Sequence, residues 1–288
     1  MAVHLRAYNE KLGTVRDVAV PFQFPGGEWD LKNVHEFDNR VTWVADVRGA
    51  DLNDLMAAAL LSNVAVQRGE DFVLMVPYLP AARADRGHPT GCVVYADLLA
   101  AMHTTNIITV DPHSYRMPDY LRATAGAVAA LDPLPLLDRA LESQGHWRYD
   151  AIIAPDKGAV DRAGAIAKHY GLDLVVCDKE RDFDTGRITK YRVPILSTKG
   201  KYLVVDDICD GGGTFALLAS EALISKPNLD LWVTHGIFSG KATMLPSYYG
   251  RIMTTDSHPG HNRVGVATSI VPTFTYMHET MVKGLSDD

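Results

Sequence analysis

The chain has 288 residues, of which 47% are apolar and 22% are charged, and its formal net charge is −7. This length corresponds to about two ordinary domains, and the composition is that of a globular protein with a large buried core. The acidic balance argues against a nucleic-acid partner, and three widely spaced cysteines without a CxxC pair argue against a disulfide framework or a zinc site. The chain has neither a membrane-length apolar run nor an apolar segment at its start, so we expect a cytoplasmic protein without a membrane partner.

Short apolar segments alternate with longer amphipathic ones along the chain. In chain order they predict a strand over 71–80, a helix over 93–105 and a strand over 106–113. The same order recurs in the second half, with strands predicted over 149–156, 172–180 and 231–239, helices over 158–171 and 215–226, and, over 201–214, a strand that runs into a glycine loop. Strands that alternate with helices predict an α/β fold with parallel sheets flanked by helices, and the continuous apolar runs fit sheets that are buried on both faces.

Two segments interrupt this pattern. Residues 131–150 contain two prolines and a polar stretch before a new strand begins, which predicts a boundary between two α/β domains at 1–146 and 147–288. Residues 181–192 are charged and contain a glycine between two apolar strands, so we expect an exposed, mobile loop or hairpin there.

The segment VVDDICDGGGTF (204–215) is the most informative motif. Its apolar strand leads to Asp206 and Asp207, and Asp210, three glycines and Thr214 follow before a helix begins. Ligands of open α/β sheets bind where strands end, and glycines allow backbone N–H groups to surround a phosphate at a helix N-terminus. Adjacent carboxylates can accept hydrogen bonds from sugar hydroxyls. The alternative interpretation is a glycine turn with a helix cap, but the paired acids favour a site for a phosphorylated sugar.

This segment resembles the phosphoribosyl pyrophosphate (PRPP) motif that phosphoribosyltransferases share with PRPP synthetases. Further segments resemble the synthetases in particular. In chain order they are FPGGE (24–28), VPYLPAARADRG (76–87), IITVDPHS (107–114), IIAPDKGAVDRAGAIA (152–167), DKERD (178–182) and VTHGIFSGKA (233–242). The chain therefore resembles a divergent member of the ribose-phosphate diphosphokinase, or PRPP synthetase, family over about residues 22–242.

The resemblance implies two tandem phosphoribosyltransferase-like domains with ATP at their junction, and a reaction in which the C1 hydroxyl of ribose 5-phosphate attacks the β-phosphorus of ATP and releases AMP. It assigns catalysis to Lys179 and Arg181, and binding of Mg²⁺ to His113 and Asp156. It assigns ATP binding to Phe24, Glu28, Arg83, Asp85, Arg86 and His113. It assigns sugar-phosphate binding to Asp156, Asp206, Asp207, Asp210, Gly211, Gly212, Gly213 and Thr214. Because FPGGE would contact ATP in a neighbouring subunit, we expect a homo-oligomer, either a dimer or a hexamer.

Three positions depart from the family pattern. Gly211 stands where the family carries a threonine, Ala84 where it commonly has glutamine, and Gly26 where an acidic or amide residue is usual. The glycine removes one hydroxyl donor and leaves space, which suggests an alternative acceptor larger than ribose 5-phosphate. ADP-ribose keeps a free C1 hydroxyl, and its product, ADP-ribose pyrophosphate, could feed NAD synthesis; ribose 5-phosphate remains the first expectation.

Three other classes of function compete with this interpretation. A phosphoribosyltransferase would consume PRPP, but the second domain and DKERD disfavour it. A non-catalytic regulatory relative would not need Lys179, Arg181, His113 and Asp156. A sugar-phosphate-binding module would not need the ATP segments. We assign no role to His235, His258 or His261, and interpret Cys209 as a small apolar residue that fills space.

Overall fold

The computed structural model describes residues 2–143, 145, 148–181, 188–265 and 268–286. The chain forms two compact units, Met1–Asp132 together with Thr273–Asp288, and Pro133–Pro272. Within the described residues, no helix is both long enough and apolar enough to cross a bilayer.

The first unit contains a six-stranded sheet, a separate two-stranded hairpin and four helices. The sheet strands are β1 (Val3–Asn9), β2 (Thr14–Asp17), β5 (Thr42–Val47), β6 (Phe72–Met75), β7 (Asn106–Val110) and β8 (Ala127–Leu131), and the hairpin strands are β3 (Val20–Gln23) and β4 (Trp29–Lys32). The helices are α1 (Leu52–Arg68), α2 (Gly91–Ala100), α3 (Arg116–Thr124) and α7 (Phe274–Ser286). The sheet order is β2-β1-β5-β6-β7-β8; β5 to β8 are parallel, whereas β1 runs antiparallel to both neighbours.

Local sequence signals explain the bounds of α1. The Asp51 carboxylate accepts a hydrogen bond from the backbone N–H of Asn53 at 2.8 Å, which caps the helix N-terminus. Gly69 adopts φ 64° at the other end, a left-handed conformation that glycine adopts without steric cost. Leu55, Ala58 and Leu61 recur at helical spacing and are buried in the core of the unit.

The second unit contains a six-stranded, fully parallel sheet, a hairpin and three helices. The sheet strands are β9 (Ala151–Ala154), β10 (Asp173–Val176), β13 (Tyr202–Cys209), β14 (Leu229–Gly236), β15 (Ile252–Thr255) and β16 (Thr268–Val271), and the hairpin strands are β11 (Asp178–Arg181) and β12 (Ile188–Arg192). The helices are α4 (Leu134–Ser143), α5 (Val160–Tyr170) and α6 (Gly213–Ala222). The sheet order is β10-β9-β13-β14-β15-β16.

The predicted α/β fold with parallel sheets flanked by helices is confirmed. All eight residues of β14 are buried, as expected for a central strand covered on both faces. Of residues 181–192, expected as a loop or hairpin, 181 and 188–192 lie in the β11–β12 hairpin, and 182–187 are outside the described residues.

The two compact units divide at a different point from the predicted boundary of 1–146 and 147–288. Helix α4 precedes that boundary in the sequence, but it packs against β15 and β16 and so belongs to the second unit. Helix α7 at the end of the chain packs against β7 of the first unit. The surfaces against which these helices pack, rather than Pro133 and Pro135, decide where each belongs.

Candidate active site

The glycine loop, defined here as Asp210–Thr214, connects β13 to α6 at the carboxyl edge of the second sheet. Gly212 has φ 75°, and a Cβ atom at this position would lie 2.9 Å from Ala242 Cα and 3.3 Å from Leu245 Cδ1. By contrast, a Cβ at Gly211 or Gly213 would meet no atom within 4 Å. The middle glycine is therefore required for backbone conformation and close packing, whereas its two neighbours keep the approach to the loop open.

The segment that follows β14 anchors this loop from one side. The backbone N–H groups of Ile237 and Phe238 donate to the carbonyl of Cys209, at 2.9 and 3.0 Å. The Ser239 hydroxyl donates to Asp210 Oδ1 at 2.6 Å, and its backbone N–H donates to the Asp210 carbonyl at 2.9 Å. Asp210 therefore accepts hydrogen bonds that connect the end of β13 to the segment after β14, which is a structural role. Ser239 was not among the predicted site residues, although it belongs to the VTHGIFSGKA segment.

Asp206 and Asp207 form a close carboxylate pair at the end of β13. Arg162 of α5 approaches both, with its guanidinium nitrogens 3.8 Å from Asp206 Oδ1 and 3.7 Å from Asp207 Oδ2. Burial, and then the charge of Asp207, hold the pKa of Asp206 well above its usual range, while Arg162 acts in the opposite direction. Arg162 was not among the predicted site residues, although it belongs to the IIAPDKGAVDRAGAIA segment.

Lys179 and Asp156 are brought into direct contact. Asp156 follows β9, where its Oδ1 accepts a hydrogen bond from the backbone N–H of Gly158 at 2.9 Å. Its Oδ2 forms an ion pair with Lys179 Nζ of the β11–β12 hairpin, and only 11% of the lysine side chain is exposed. The negative charge of Asp156 also contributes to the raised pKa of Asp206. One cation of the predicted catalytic segment therefore lies beside the acidic cluster of the sugar-phosphate motif.

The hairpin that carries Lys179 is attached to the same sheet edge. Lys179 is paired with Tyr191 across the hairpin, and the Tyr191 hydroxyl donates to the carbonyl of Pro155 at 2.6 Å. The register shifts between Glu180 and Arg181, as in a β-bulge. The backbone of Arg181 lies in β11, but its side chain is outside the described part of the structure, so its predicted catalytic role stays a prediction.

The predicted ATP-binding residues of the first unit lie in two places. Arg83, Asp85 and Arg86 lie in the loop after β6, and His113 lies in the loop after β7. Because β6 and β7 are parallel neighbours, the two loops share one edge of the sheet. The side chains of Arg83, Arg86 and His113 are exposed, whereas Asp85 is half-buried and its carbonyl accepts a hydrogen bond from Arg116 Nη1.

Phe24 and Glu28 lie apart from these loops, at the turn of the β3–β4 hairpin. The backbone N–H of Phe24 donates to the Glu28 carbonyl at 2.8 Å, which closes the turn. The Phe24 side chain is 47% exposed and packs edge-on against Phe22 at a ring-centroid distance of 4.8 Å. This hairpin forms its own two-stranded sheet, separate from the sheet whose loops carry Arg83 and His113.

Cys209, His235 and His258, to which no catalytic role was assigned from the sequence, have surroundings typical of residues that stabilise the fold. Cys209 is fully buried, and burial raises the pKa of its thiol, which keeps it protonated and unlike a nucleophile. His235 is buried, with Nδ1 2.8 Å from the Ser257 hydroxyl oxygen. His258 Nδ1 accepts from the backbone N–H of Gly260 at 3.0 Å, and burial together with Arg263 lowers the His258 pKa to about 4.

Within the ranges that the structure describes, no group of three or more His, Cys, Asp or Glu side chains could hold a metal ion. The donor set at Asp156 is compatible with Mg²⁺ nonetheless. A carboxylate offers about four lone-pair sites, and here one oxygen accepts from Gly158 and the other pairs with Lys179. Mg²⁺ commonly takes one or two carboxylates together with substrate phosphates and water rather than a full protein cage.

The chain is similar to known proteins in sequence and in fold. Residues 137–225 match the phosphoribosyl transferase domain family. The chain is 27% identical over 285 residues to a ribose-phosphate pyrophosphokinase of Granulibacter bethesdensis, which covers 92% of this chain and 90% of that protein. It is 28% identical over 209 residues to a ribose-phosphate pyrophosphokinase of Sulfolobus acidocaldarius, covering 69% of this chain and 70% of that one. The crystal structure of phosphoribosylpyrophosphate synthetase from Mycobacterium smegmatis has the same fold, with a TM-score of 0.73 at 20% identity, over 94% of this chain and 90% of that one.

Proposed function

This chain is a divergent member of the ribose-phosphate diphosphokinase family, and on that premise we propose that it transfers the diphosphoryl group of ATP to the C1 hydroxyl of ribose 5-phosphate. PRPP and AMP are the products. The observation that carries the proposal is the contact of Lys179 with Asp156, because it places the hairpin cation at the end of β9, beside the acidic cluster to which Asp206 of β13 also belongs.

The second unit offers complementary groups for a sugar phosphate. Backbone N–H groups at the start of α6 and the Thr214 hydroxyl suit the 5-phosphate, and the open surface over Gly211 and Gly213 lets it approach. The carboxylates of Asp206 and Asp207 suit the vicinal ribose hydroxyls as hydrogen-bond acceptors. Arg162 balances part of their charge and so reduces the repulsion between them.

Lys179 would act by charge rather than by covalent chemistry. In diphosphoryl transfer, negative charge spreads over the non-bridging oxygens, and catalysis depends mainly on positioning and electrostatic stabilisation. In the present arrangement Lys179 is neutralised by Asp156 and sheltered from water. We propose that the phosphates of ATP draw it from this ion pair, so that its ammonium group contacts the transferred group. Arg181, two residues along the same strand, is the proposed second cation.

Binding of ATP is assigned to the exposed cations of the first unit. Arg83 and Arg86 would pair with phosphate oxygens, for which the guanidinium fork is suited. Asp156 of the second unit is a proposed ligand of Mg²⁺, and the metal, when bound, would neutralise phosphate charge and align the reacting groups. His113 of the first unit stays a predicted ligand.

The direct test is AMP formation from ATP and Mg²⁺ with ribose 5-phosphate as acceptor. Lys179→Ala is expected to lower the rate by about 10²–10³-fold, the usual effect of removing one charge-stabilising group. Lys199→Ala is the matched control, because Lys199 is an exposed lysine of the same unit outside the site. If the folded wild-type protein forms no AMP, the transfer function is wrong, and if both variants keep full rate, the assignment of Lys179 is wrong.

A second acceptor is favoured by one observation, the open space at Gly211. A larger 5-substituted ribose, such as ADP-ribose, would find no side chain there, and its product would be ADP-ribose pyrophosphate, a compound that could feed NAD synthesis. Gly211→Thr restores the usual family residue without a steric obstacle. With ADP-ribose as the true acceptor, this variant should lose ADP-ribose turnover relative to ribose 5-phosphate; an unchanged preference for ribose 5-phosphate in both proteins would exclude this candidate.

We also propose that the chain forms a homo-oligomer through the hairpin that carries Phe24 and Glu28. The exposed phenylalanine at a hairpin turn fits a contact with a second copy. Light scattering coupled to gel filtration should show a dimer or hexamer, and Phe24→Ser should shift it toward smaller species. A monodisperse monomer that is fully active would contradict this part of the proposal.

A further inference from the structure

A basic cavity lies at the amino edge of the second sheet, where the strands begin. It has a volume of about 340 Å³ and is lined by Lys201, Lys226, Pro227, Asp230, Gly250 and Arg251. Lys201 immediately precedes β13, Lys226 precedes β14 and Arg251 precedes β15, and these three strands are parallel neighbours. The cavity is therefore built from three consecutive strand starts of one sheet.

This cavity is separate from the glycine loop. The loop follows Cys209 at the end of β13, whereas Lys201 stands just before Tyr202 at its beginning. The eight residues of β13 are joined by seven steps of about 3.3 Å, so the two edges lie about 23 Å apart. A ligand of the size of a phosphate or a ribose phosphate therefore cannot reach both.

Two polar atoms at this cavity are buried without a hydrogen-bond partner in the described structure. They are Asp230 Oδ1 and Arg251 Nη1. Asp230 is fully buried, and its other oxygen accepts from the Tyr149 hydroxyl at 2.8 Å and pairs with Lys201 Nζ at 3.4 Å. Burying an unsatisfied donor or acceptor costs about 1–3 kcal/mol, so such atoms usually have a bound water or ligand as partner.

Gly250 keeps the space beside the unpaired oxygen open. A Cβ atom at this position would lie 3.0 Å from Asp230 Oδ1 and 2.9 Å from the carbonyl oxygen of Lys226. Any larger residue would therefore crowd the carboxylate and the backbone that frames the cavity. The chain thus carries no side chain in the space beside this buried acceptor.

The charges and the unpaired atoms together define the chemistry of the ligand. Three cationic residues and one acidic residue line the cavity, so it favours an anion with acceptor oxygens, and Arg251 Nη1 supplies a donor for it. The unpaired Asp230 oxygen accepts only, so the same ligand must also present an O–H group. The volume is at the low end of the range for small-molecule sites, about 300–1,000 Å³. We propose that this cavity binds a phosphate group that carries or adjoins a hydroxyl, either inorganic phosphate or a small sugar phosphate.

Sulfate separates this proposal from simple charge attraction. Inorganic phosphate keeps at least one O–H at neutral pH, and ribose 5-phosphate has sugar hydroxyls, so both can donate to Asp230. Sulfate is fully ionised and would place an oxygen against the buried carboxylate oxygen with no proton between them. A site built to accept a hydroxyl hydrogen bond rejects an analogue that lacks it.

The test is lysine acetylation of the whole protein, read residue by residue by mass spectrometry, with inorganic phosphate, ribose 5-phosphate or sulfate at equal ionic strength. Phosphate should slow acetylation of Lys226 and Lys201 by about tenfold when about nine sites in ten are filled. Lys199, exposed in the same unit, should react at an unchanged rate. Protection by phosphate alone identifies inorganic phosphate as the ligand, and protection by ribose 5-phosphate identifies the sugar phosphate.

Variants locate the effect. Arg251→Gln should abolish protection of Lys226 without changing AMP formation. If this variant does not fold, Lys226→Gln, at an exposed position, replaces it and should abolish protection of Lys201. Asp230→Asn should allow sulfate to protect, because the amide can donate where the carboxylate cannot. Equal protection by sulfate in the wild-type protein, or no protection by either phosphate compound at concentrations that occupy the glycine loop, would overturn the proposal.

Discussion

Replacing Gly212 with alanine tests whether the glycine loop has the geometry described here. The substitution would force a non-glycine residue to φ 75° and place its Cβ 2.9 Å from Ala242 Cα, a backbone atom that cannot rotate away. A left-handed conformation costs about 1–2 kcal/mol for a residue with a Cβ, and overpacking of a tight site costs about 1–3 kcal/mol. We therefore expect Gly212→Ala to lower the free energy of unfolding by about 2–5 kcal/mol.

Gly213→Ala is the matched control, because its Cβ would meet no atom within 4 Å and the position begins α6. Alanine is favoured over glycine in a helix by about 1 kcal/mol, so this variant should be neutral or slightly more stable. Urea denaturation followed by circular dichroism gives both free energies. Equal effects of the two substitutions would refute the reasoning, since they would show that neither the positive φ nor the approach to Ala242 constrains the loop.

Asp206, His258 and Tyr149 of the second unit each affect stability in a way that a substitution can measure. The raised pKa of Asp206 means that its protonated form stabilises the fold; this contribution is present below the ordinary aspartate pKa and is lost as the pH rises through the pKa of the folded state. Asp206→Asn should therefore unfold at a higher urea concentration than the wild-type protein at pH 7, and the difference should shrink in acid. The KM of this variant for ribose 5-phosphate should rise. His258, whose pKa is lowered from 6.5 to about 4, contributes stability that is present above pH 6.5 and lost as the pH falls toward 4, so urea midpoints of His258→Gln should depend less on pH across that interval than those of the wild-type protein. Tyr149→Phe removes the hydroxyl that donates to buried Asp230 and should lower the free energy of unfolding by about 1–3 kcal/mol, and a loss below 0.5 kcal/mol would show that Lys201 alone satisfies the carboxylate.

The sequence was sufficient to predict the fold class and the strand ends that carry polar residues. Its alternation of apolar and amphipathic segments is a local signal, and so are the glycines that follow Asp206 and Asp207. The resemblance singled out Gly211 as a departure from the family pattern, but the sequence did not show which of Gly211 and Gly212 is required by close packing. Only the packing of Ala242 against one of them shows that the first is open and the second is not.

Contacts between residues distant in the sequence required the tertiary structure. Lys179 meets Asp156 across 23 residues of chain because a hairpin returns to the sheet edge, and Arg162 reaches the carboxylate pair because α5 packs beside β13. The same holds for the domain boundary, which depends on the surfaces that α4 and α7 cover, and for the basic cavity, whose lysines and arginine come from three separate strand starts. A local pattern determines which element forms and what ends it, but strand order determines which ends become neighbours, and no periodicity in the sequence encodes that order.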